Sequence, residues 1–201
     1  MISADEALQR LRDGNSRYVS ETSNNAHLVG QDRRNELVGG QAPFAIVLSC
    51  SDSRVPAEMV FDQGLGDLFG IRVAGNVVTP SGLGSIEFAA TQFGTPLVVV
   101  MGHSHCGAVK ATLEGLKCPP DDLSPNLMSI VSRIQPAVEG LVSGGGQEGD
   151  DLLSQAIKAN IAASVDQLKQ GSAILDGLIE KGDLTVVGAE YSLQTGMVEI
   201  F

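Results

Sequence analysis

Short apolar runs alternate with helix-like patterns along most of the chain. Four of these runs are rich in β-branched residues and end in Gly, Pro or polar turns, at residues 44–50, 68–74, 97–101 and 184–189. Continuous apolar character over so few residues is typical of strands that are buried on both faces of a parallel sheet. We expect Gly102 to end the third run.

The segments between these runs place apolar residues three and four positions apart, which predicts helices. With a break near Gly171 in the last of them, the predicted helices cover residues 3–20, 56–61, 81–93, 107–116, 125–142 and 151–181. The side chains of the third helix that we expect to face the sheet are Leu83, Ile86, Phe88 and Ala89.

Strands that alternate with helices favour right-handed parallel crossovers. We therefore predict an α/β fold, with a mostly parallel central sheet of four strands plus a C-terminal antiparallel edge strand at residues 197–201, flanked by helices.

The beginning of the chain has a different pattern. Ser3 and Glu6 form a capping-box signature at the start of the first predicted helix. Residues 21–42 are polar with little periodicity, and a stretch of this length without an element is longer than a usual connection. An arm that crosses to another subunit would explain it, and a loop that wraps its own domain is the alternative.

Composition narrows the class of protein. The chain has 201 residues, 43% of them hydrophobic, which suits one domain over 1–201. We divide it into an N-terminal helical arm that packs on a partner subunit, residues 1–42, and an α/β core, residues 43–201. The formal charge is −11 and no run of Lys or Arg occurs, so we expect no nucleic acid partner.

No membrane span is expected either, because every apolar run is far shorter than the roughly 18 to 20 residues that a span needs. The first residues, MISADEALQRL, lack the pattern of a secretion signal. We therefore expect a cytoplasmic location, and a periplasmic one if a signal was removed.

Soft metal ligands follow two of the predicted strands. Cys50 follows the first strand within CSDSR, and His103 and Cys106 follow the third within GHSHC. Open α/β sheets place their ligands at the carboxyl edge, where these residues would lie. Two thiolates and one imidazole suit Zn²⁺ better than Mg²⁺ or Ca²⁺. Three cysteines in all, Cys118 included, argue against a disulfide scaffold.

Three protein ligands leave one tetrahedral position. His105 has the wrong spacing to fill it, Cys118 lies beyond a helix and a Pro-Pro turn, and His27 is the remaining candidate. We favour an open or carboxylate-closed site, which is the catalytic pattern. Asp52 could accept a hydrogen bond from metal-bound water, if a bidentate contact with Arg54 keeps the carboxylate off the metal.

At these residues the sequence resembles the β-class carbonic anhydrases. The resemblance covers nearly the whole chain, and its most specific part is CSDSR combined with H-x-x-C; further matching stretches are ADEALQRLRDGNSRYV, LFGIRVAGNVV and VVGAEYSLQTGMVEI. It implies zinc ligation by Cys50, His103 and Cys106, a catalytic dyad of Asp52 and Arg54, and active sites at a homodimer interface, with a tetramer as the larger alternative.

The resemblance also implies three substrate-binding residues. Gln41 matches a glutamine that reaches across the interface to the substrate. Phe69 and Ala74 match positions that line an apolar pocket for carbon dioxide, although Ala74 replaces a larger Val common there. One subgroup of the family has a non-catalytic bicarbonate pocket built with a Trp. Val47 occupies that Trp position and the chain contains no Trp; we therefore expect no such pocket, although Arg72 and Tyr191 match other parts of it.

The function that the resemblance implies is the reversible hydration of carbon dioxide to bicarbonate and a proton by a metal-bound hydroxide. Hydrolysis of carbonyl sulfide or carbon disulfide on the same scaffold is an alternative, because those molecules present the same electrophilic carbon. A zinc-dependent binding protein with a permanently closed site is the alternative from another class.

Overall fold

The structure is a computed structural model that describes residues 2–23, 29–117, 123–143 and 149–201. Its helices are α1 Ala4–Val19, α2 Gln31–Leu37, α3 Ala57–Val60, α4 Pro80–Gln92, α5 Gly107–Lys117, α6 Pro125–Ser143, α7 Asp150–Gln170 and α8 Ala173–Glu180. Its strands are β1 Ala45–Ser49, β2 Leu68–Arg72, β3 Leu97–His103, β4 Thr185–Tyr191 and β5 Val198–Ile200, and a 3₁₀ turn covers Ala74–Asn76.

The five strands form one sheet in the order β2-β1-β3-β4-β5. The pairs β1–β2, β1–β3 and β3–β4 are parallel, and β4–β5 is antiparallel. The predicted α/β fold with four parallel strands and an antiparallel C-terminal edge is therefore confirmed.

The central strands are buried because helices cover both faces of the sheet. Ile46 and Val100 belong to one apolar cluster with residues of α4 to α8. Val47 and Val99 belong to a second cluster with residues of α1 and α3. Every residue of β1 and β3 is buried, which explains their continuous apolar sequence.

Some strand ends and one helix differ from the prediction. Gly102 does not end β3, because Gly102 and His103 continue the pairing with β4. A Cβ at Gly102 would lie 2.6 Å from Ile161 of α7, so the glycine serves close helix packing. Ala74 leaves β2 and begins the 3₁₀ turn. Residues 31–37, predicted without an element, form α2, a short helix with no buried residue and hence no apolar stripe to reveal it.

Phe88 also differs from the expectation for α4. Ile86 and Ala89 are fully buried against the sheet, but Phe88 is 51% exposed. Its ring packs edge-on against Phe93 with 5.5 Å between centroids, and both rings lie near Phe69 of the edge strand β2. The sheet ends there, so Phe88 has no further strand to cover.

Helix α1 packs on the core of its own chain. Ser3 and Glu6 form the predicted capping box, and Leu11 is fully buried in the second apolar cluster. The Asn15 amide donates to the carbonyls of Val60 and Gly196 at 3.0 and 2.8 Å. Packing of residues 1–42 on a partner stays a prediction.

None of the helices in the described ranges combines the length and apolar character needed to cross a membrane.

Two helical glycines provide a matched test of how closely α1 packs on the core. A Cβ at Gly14 of α1 would lie 1.8 Å from the Phe61 carbonyl oxygen, whereas a Cβ at Gly140 of α6 would have no neighbour within 4 Å. We expect Gly14→Ala to lower the free energy of unfolding by about 1 to 3 kcal/mol or more, and Gly140→Ala to raise it by up to about 1 kcal/mol. Denaturant unfolding measures both, and equal effects would contradict the close approach of α1.

Candidate metal centre

Three side chains converge at the carboxyl ends of the neighbouring strands β1 and β3. Cys50 directly follows β1, His103 is the last residue of β3, and Cys106 directly precedes α5. One potential ligand atom from each lies within 4.8 Å of the other two, and all three residues are buried. We call this group the Cys-His-Cys centre.

The His103 ring is oriented to offer a lone pair to the centre. Its Nδ1 lies 2.9 Å from the backbone carbonyl oxygen of Ser104. A carbonyl only accepts, so Nδ1 carries the proton and Nε2 is left as an acceptor. Nε2 is buried and has no hydrogen-bond partner among the described residues. An orphaned buried nitrogen of this kind is expected where a metal ion binds.

The two thiols compete for negative charge. A hydrogen bond from Cys106 lowers the pKa of Cys50 to about 4 against the opposing effect of burial, and the Gly75 N–H adds to the lowering. The same hydrogen bond to Cys50, together with burial, raises the pKa of Cys106. Without a cation, therefore, only one of the two is readily ionised. A soft divalent cation would stabilise both thiolates, so the residues present fit such an ion.

Asp52 lies beside the centre and is held by Arg54. The Arg54 Nε and Nη2 donate to Asp52 Oδ1 and Oδ2 at 2.9 and 2.7 Å, and the Arg54 backbone N–H donates to Oδ1 at 3.0 Å. These bonds hold the pKa of Asp52 well below its usual range. Asp52 Oδ2 is 3.8 Å from His103 Nε2, so an ionised carboxylate stands next to the ligands while Arg54 restrains it.

Arg72 holds the loop that carries these groups. From the end of β2 its Nε donates to the Cys50 carbonyl at 3.2 Å and its Nη2 to the Asp52 carbonyl at 2.6 Å. Tyr191 instead places its hydroxyl 3.3 Å from that of Tyr18. In the sequence, Arg72 and Tyr191 match only parts of a bicarbonate pocket, whose absence stays a prediction. A signal for the role of Arg72 was its position at the carboxyl end of the strand next to β1.

The predicted substrate-binding residues are not all brought to the centre of their own chain. Ala74 is close to it, because the next residue, Gly75, donates its N–H to Cys50 Sγ at 3.3 Å. Gln41 precedes β1 and is exposed at the opposite end of that strand. Phe69 pairs with Ile46 at the start of β1. Gln41 and Phe69 could therefore serve such a site only from a neighbouring subunit.

The candidates for a fourth ligand stand as follows. His105 is exposed, has a left-handed backbone with φ of 55°, and is not in the ligand group. His27 and Cys118 lie outside the described residues.

An open, mostly parallel sheet with two thiols and an imidazole converging at its carboxyl edge defines a metal-binding α/β protein. Comparison with known proteins gives the family. The sequence profile described as "Carbonic anhydrase" matches residues 45–198. A "Carbonic anhydrase" of Mycolicibacterium smegmatis is 39% identical over 194 residues, which cover 96% of this chain and 91% of that protein. "Carbonic anhydrase 2" of Mycobacterium tuberculosis is 37% identical over 192 residues, covering 94% and 89%.

Solved structures of β-carbonic anhydrases have the same fold. The β-carbonic anhydrase CcaA superimposes with a TM-score of 0.78 at 28% identity, covering 98% of this chain and 88% of that one. A structure of one of two tetrameric β-carbonic anhydrases from Sordaria macrospora superimposes with a TM-score of 0.76 at 19% identity, covering 98% of this chain and 97% of that one. At this identity the likeness concerns the fold alone. The chain belongs to the β-carbonic anhydrase family.

The third cysteine provides a control for the metal centre. We expect Cys50→Ala and Cys106→Ala each to reduce bound metal from about one ion per chain to almost none, because each removes one of three protein ligands. Cys118→Ala is expected to keep the metal. Metal analysis of the purified variants measures this, and metal loss in Cys118→Ala with retention in Cys50→Ala would contradict the ligand set.

Proposed function

We propose that this protein is a zinc enzyme that catalyses the reversible hydration of carbon dioxide to bicarbonate and a proton. The observation that carries the proposal is the buried Cys-His-Cys centre with an ionised carboxylate, Asp52, held beside it by Arg54. The chain's membership of the β-carbonic anhydrase family supports the same reaction.

Cys50, His103 and Cys106 would hold the zinc ion. When bound, zinc supplies Lewis acidity, which makes water a competent nucleophile near neutral pH. The three protein ligands leave a fourth tetrahedral position for the reactants.

Asp52 would orient the attacking water. Each carboxylate oxygen has two lone pairs, so Oδ2 can bind Arg54 and still accept a second hydrogen bond. Because Arg54 keeps the pKa of Asp52 low, the carboxylate is an acceptor only and favours the form of the nucleophile that retains a proton to donate. Arg54 also restrains Asp52 from becoming a metal ligand itself.

Gln41 and Phe69 would complete the site from a second copy of the chain. Gln41 lines an exposed groove with Val38 and Phe93, and the Phe93 ring joins those of Phe88 and Phe69 along the edge strand. Val38 is 86% exposed and Phe88 51% exposed, an apolar surface that a homodimer would bury. In the dimer the Gln41 amide would donate to a substrate oxygen, and Phe69 would join Ala74 in an apolar pocket for carbon dioxide.

Stopped-flow hydration of carbon dioxide tests the function. The zinc-loaded protein is expected to be active, and Asp52→Ala to lower the rate by about 10²- to 10⁴-fold while zinc content stays unchanged. Release of sulfide from carbonyl sulfide with negligible hydration would point to the alternative substrate. Full zinc occupancy with no turnover of either substrate at alkaline pH would instead indicate a closed binding protein.

Subunit complementation tests whether Gln41 acts across the interface. Gln41→Ala is expected to lower activity by about 10²- to 10³-fold, as for loss of one donor to a reacting oxygen, whereas Gln170→Ala, at an exposed amide, is the control. Mixed dimers of Gln41→Ala and Asp52→Ala chains would contain one intact site, because the Asp52→Ala chain supplies Gln41 to its partner. Recovery of activity on mixing is expected, and no recovery would mean that Gln41 does not act in trans.

A further inference from the structure

The 3₁₀ turn Ala74–Asn76 supplies a backbone N–H to Cys50. The donor is Gly75, 3.3 Å from the sulfur. Gly75 and Asn76 have left-handed backbone angles, with φ of 69° and 46°. Glycine has access to many other conformations, and asparagine adopts this one less readily than a right-handed one. The direction of the Gly75 N–H therefore depends on what holds the turn.

Two side chains of α7 donate hydrogen bonds to backbone carbonyls of the turn. The Asn160 Nδ2 donates to the Gly75 carbonyl oxygen at 2.8 Å, and the Ser164 Oγ donates to the Asn76 carbonyl oxygen at 3.2 Å. Asn160 is 2% exposed and Ser164 3% exposed. They are four residues apart, so they lie on the same face of α7, and each holds one of the two left-handed residues.

This face of α7 is otherwise apolar. Ile157, Ile161, Val165 and Leu168 belong to the main apolar cluster. A buried polar side chain costs stability unless it is hydrogen-bonded, and leucine or alanine would fill such a face without that cost. The two polar residues are placed where the backbone carbonyls of the turn need donors, and the sequence pattern alone gave them no role.

We propose that Asn160 and Ser164 are positioning residues for the metal centre, which fix the Gly75 N–H on the Cys50 sulfur and so tune this ligand's hold on the metal. The inference rests on the proposed metal centre. Neither side chain contacts the ligands; they act through the turn, as outer-shell partners of metal ligands commonly do.

The test compares Asn160→Leu and Ser164→Ala with Thr95→Val. Thr95 is equally buried, at 1% exposure, and its hydroxyl donates to the Pro43 carbonyl at 2.9 Å, at the end of the sheet opposite the centre. All three variants lose one buried side-chain bond to a backbone carbonyl. Thermal unfolding of each zinc-loaded variant reports the general loss of stability, and where Asn160→Leu does not fold, Ser164→Ala decides the outcome.

Zinc transfer to a chelator and the absorption of the cobalt-substituted protein report the centre itself. We expect the α7 variants to bind zinc about 10-fold more weakly, because the turn no longer holds the Cys50 sulfur in position. We also expect the thiolate-to-cobalt charge-transfer band to shift to lower energy, because a sulfur without the Gly75 N–H donor gives up charge more easily. Thr95→Val is expected to leave both unchanged. Unchanged zinc affinity and spectrum in the α7 variants would overturn this inference but leave the proposed function standing. A wild-type chain that binds no metal would overturn the proposed function.

Discussion

Parallel pairing of β1 with β3 is the constraint on which the centre depends. Ser49 pairs with Met101, so Cys50 leaves the sheet beside the point where β3 continues to His103. The chain then needs only two further residues before Cys106 begins the approach to α5. Both strands are buried on both faces, so a one-residue shift in their register would move each side chain into the apolar cluster on the opposite face, where it does not fit. The centre thus takes its geometry from two strands that are buried along their whole length.

The same burial leaves the centre electrostatically incomplete. Two thiols and an imidazole lie together in a buried site, and the hydrogen bond between the thiols favours the ionisation of Cys50 but opposes that of Cys106. His103 Nε2 is left without a partner among the described residues. A divalent cation would offset these costs together, and folding and metal binding would then be thermodynamically coupled.

Two arginines restrain the loop after β1 in different ways. Arg54 binds the carboxylate of Asp52, which keeps that group close to the ligands without joining them. Arg72 binds the backbone carbonyls of Cys50 and Asp52, which fixes the loop itself. The Asp52 carboxylate is near enough to occupy the fourth position on a bound metal ion. The contacts with Arg54 and Arg72 oppose this movement and so favour a site with that position open.

The strands, most of the helices and the convergence of the three residues of the Cys-His-Cys centre follow from the sequence. The strands are continuous apolar runs, the helices carry an apolar stripe, and the three residues of the centre lie at strand ends that a parallel sheet must bring to one edge. Helix α2 has no buried face, so periodicity could not reveal it. The strand position of Gly102 and the exposure of Phe88 could not be predicted, because they depend on packing against Ile161 of α7 and on the edge of the sheet.

The polar groups that hold the centre in place are set by the packing of distant elements. Arg72 binds the loop from a neighbouring strand, and Asn160 and Ser164 reach the 3₁₀ turn from a helix more than 80 residues further along the chain. Their hydrogen bonds join backbone carbonyls to side chains far apart in sequence, and nothing in the local pattern records such a pairing. Local sequence specifies an element and its buried face, whereas the partner of a buried donor is set by how the elements pack.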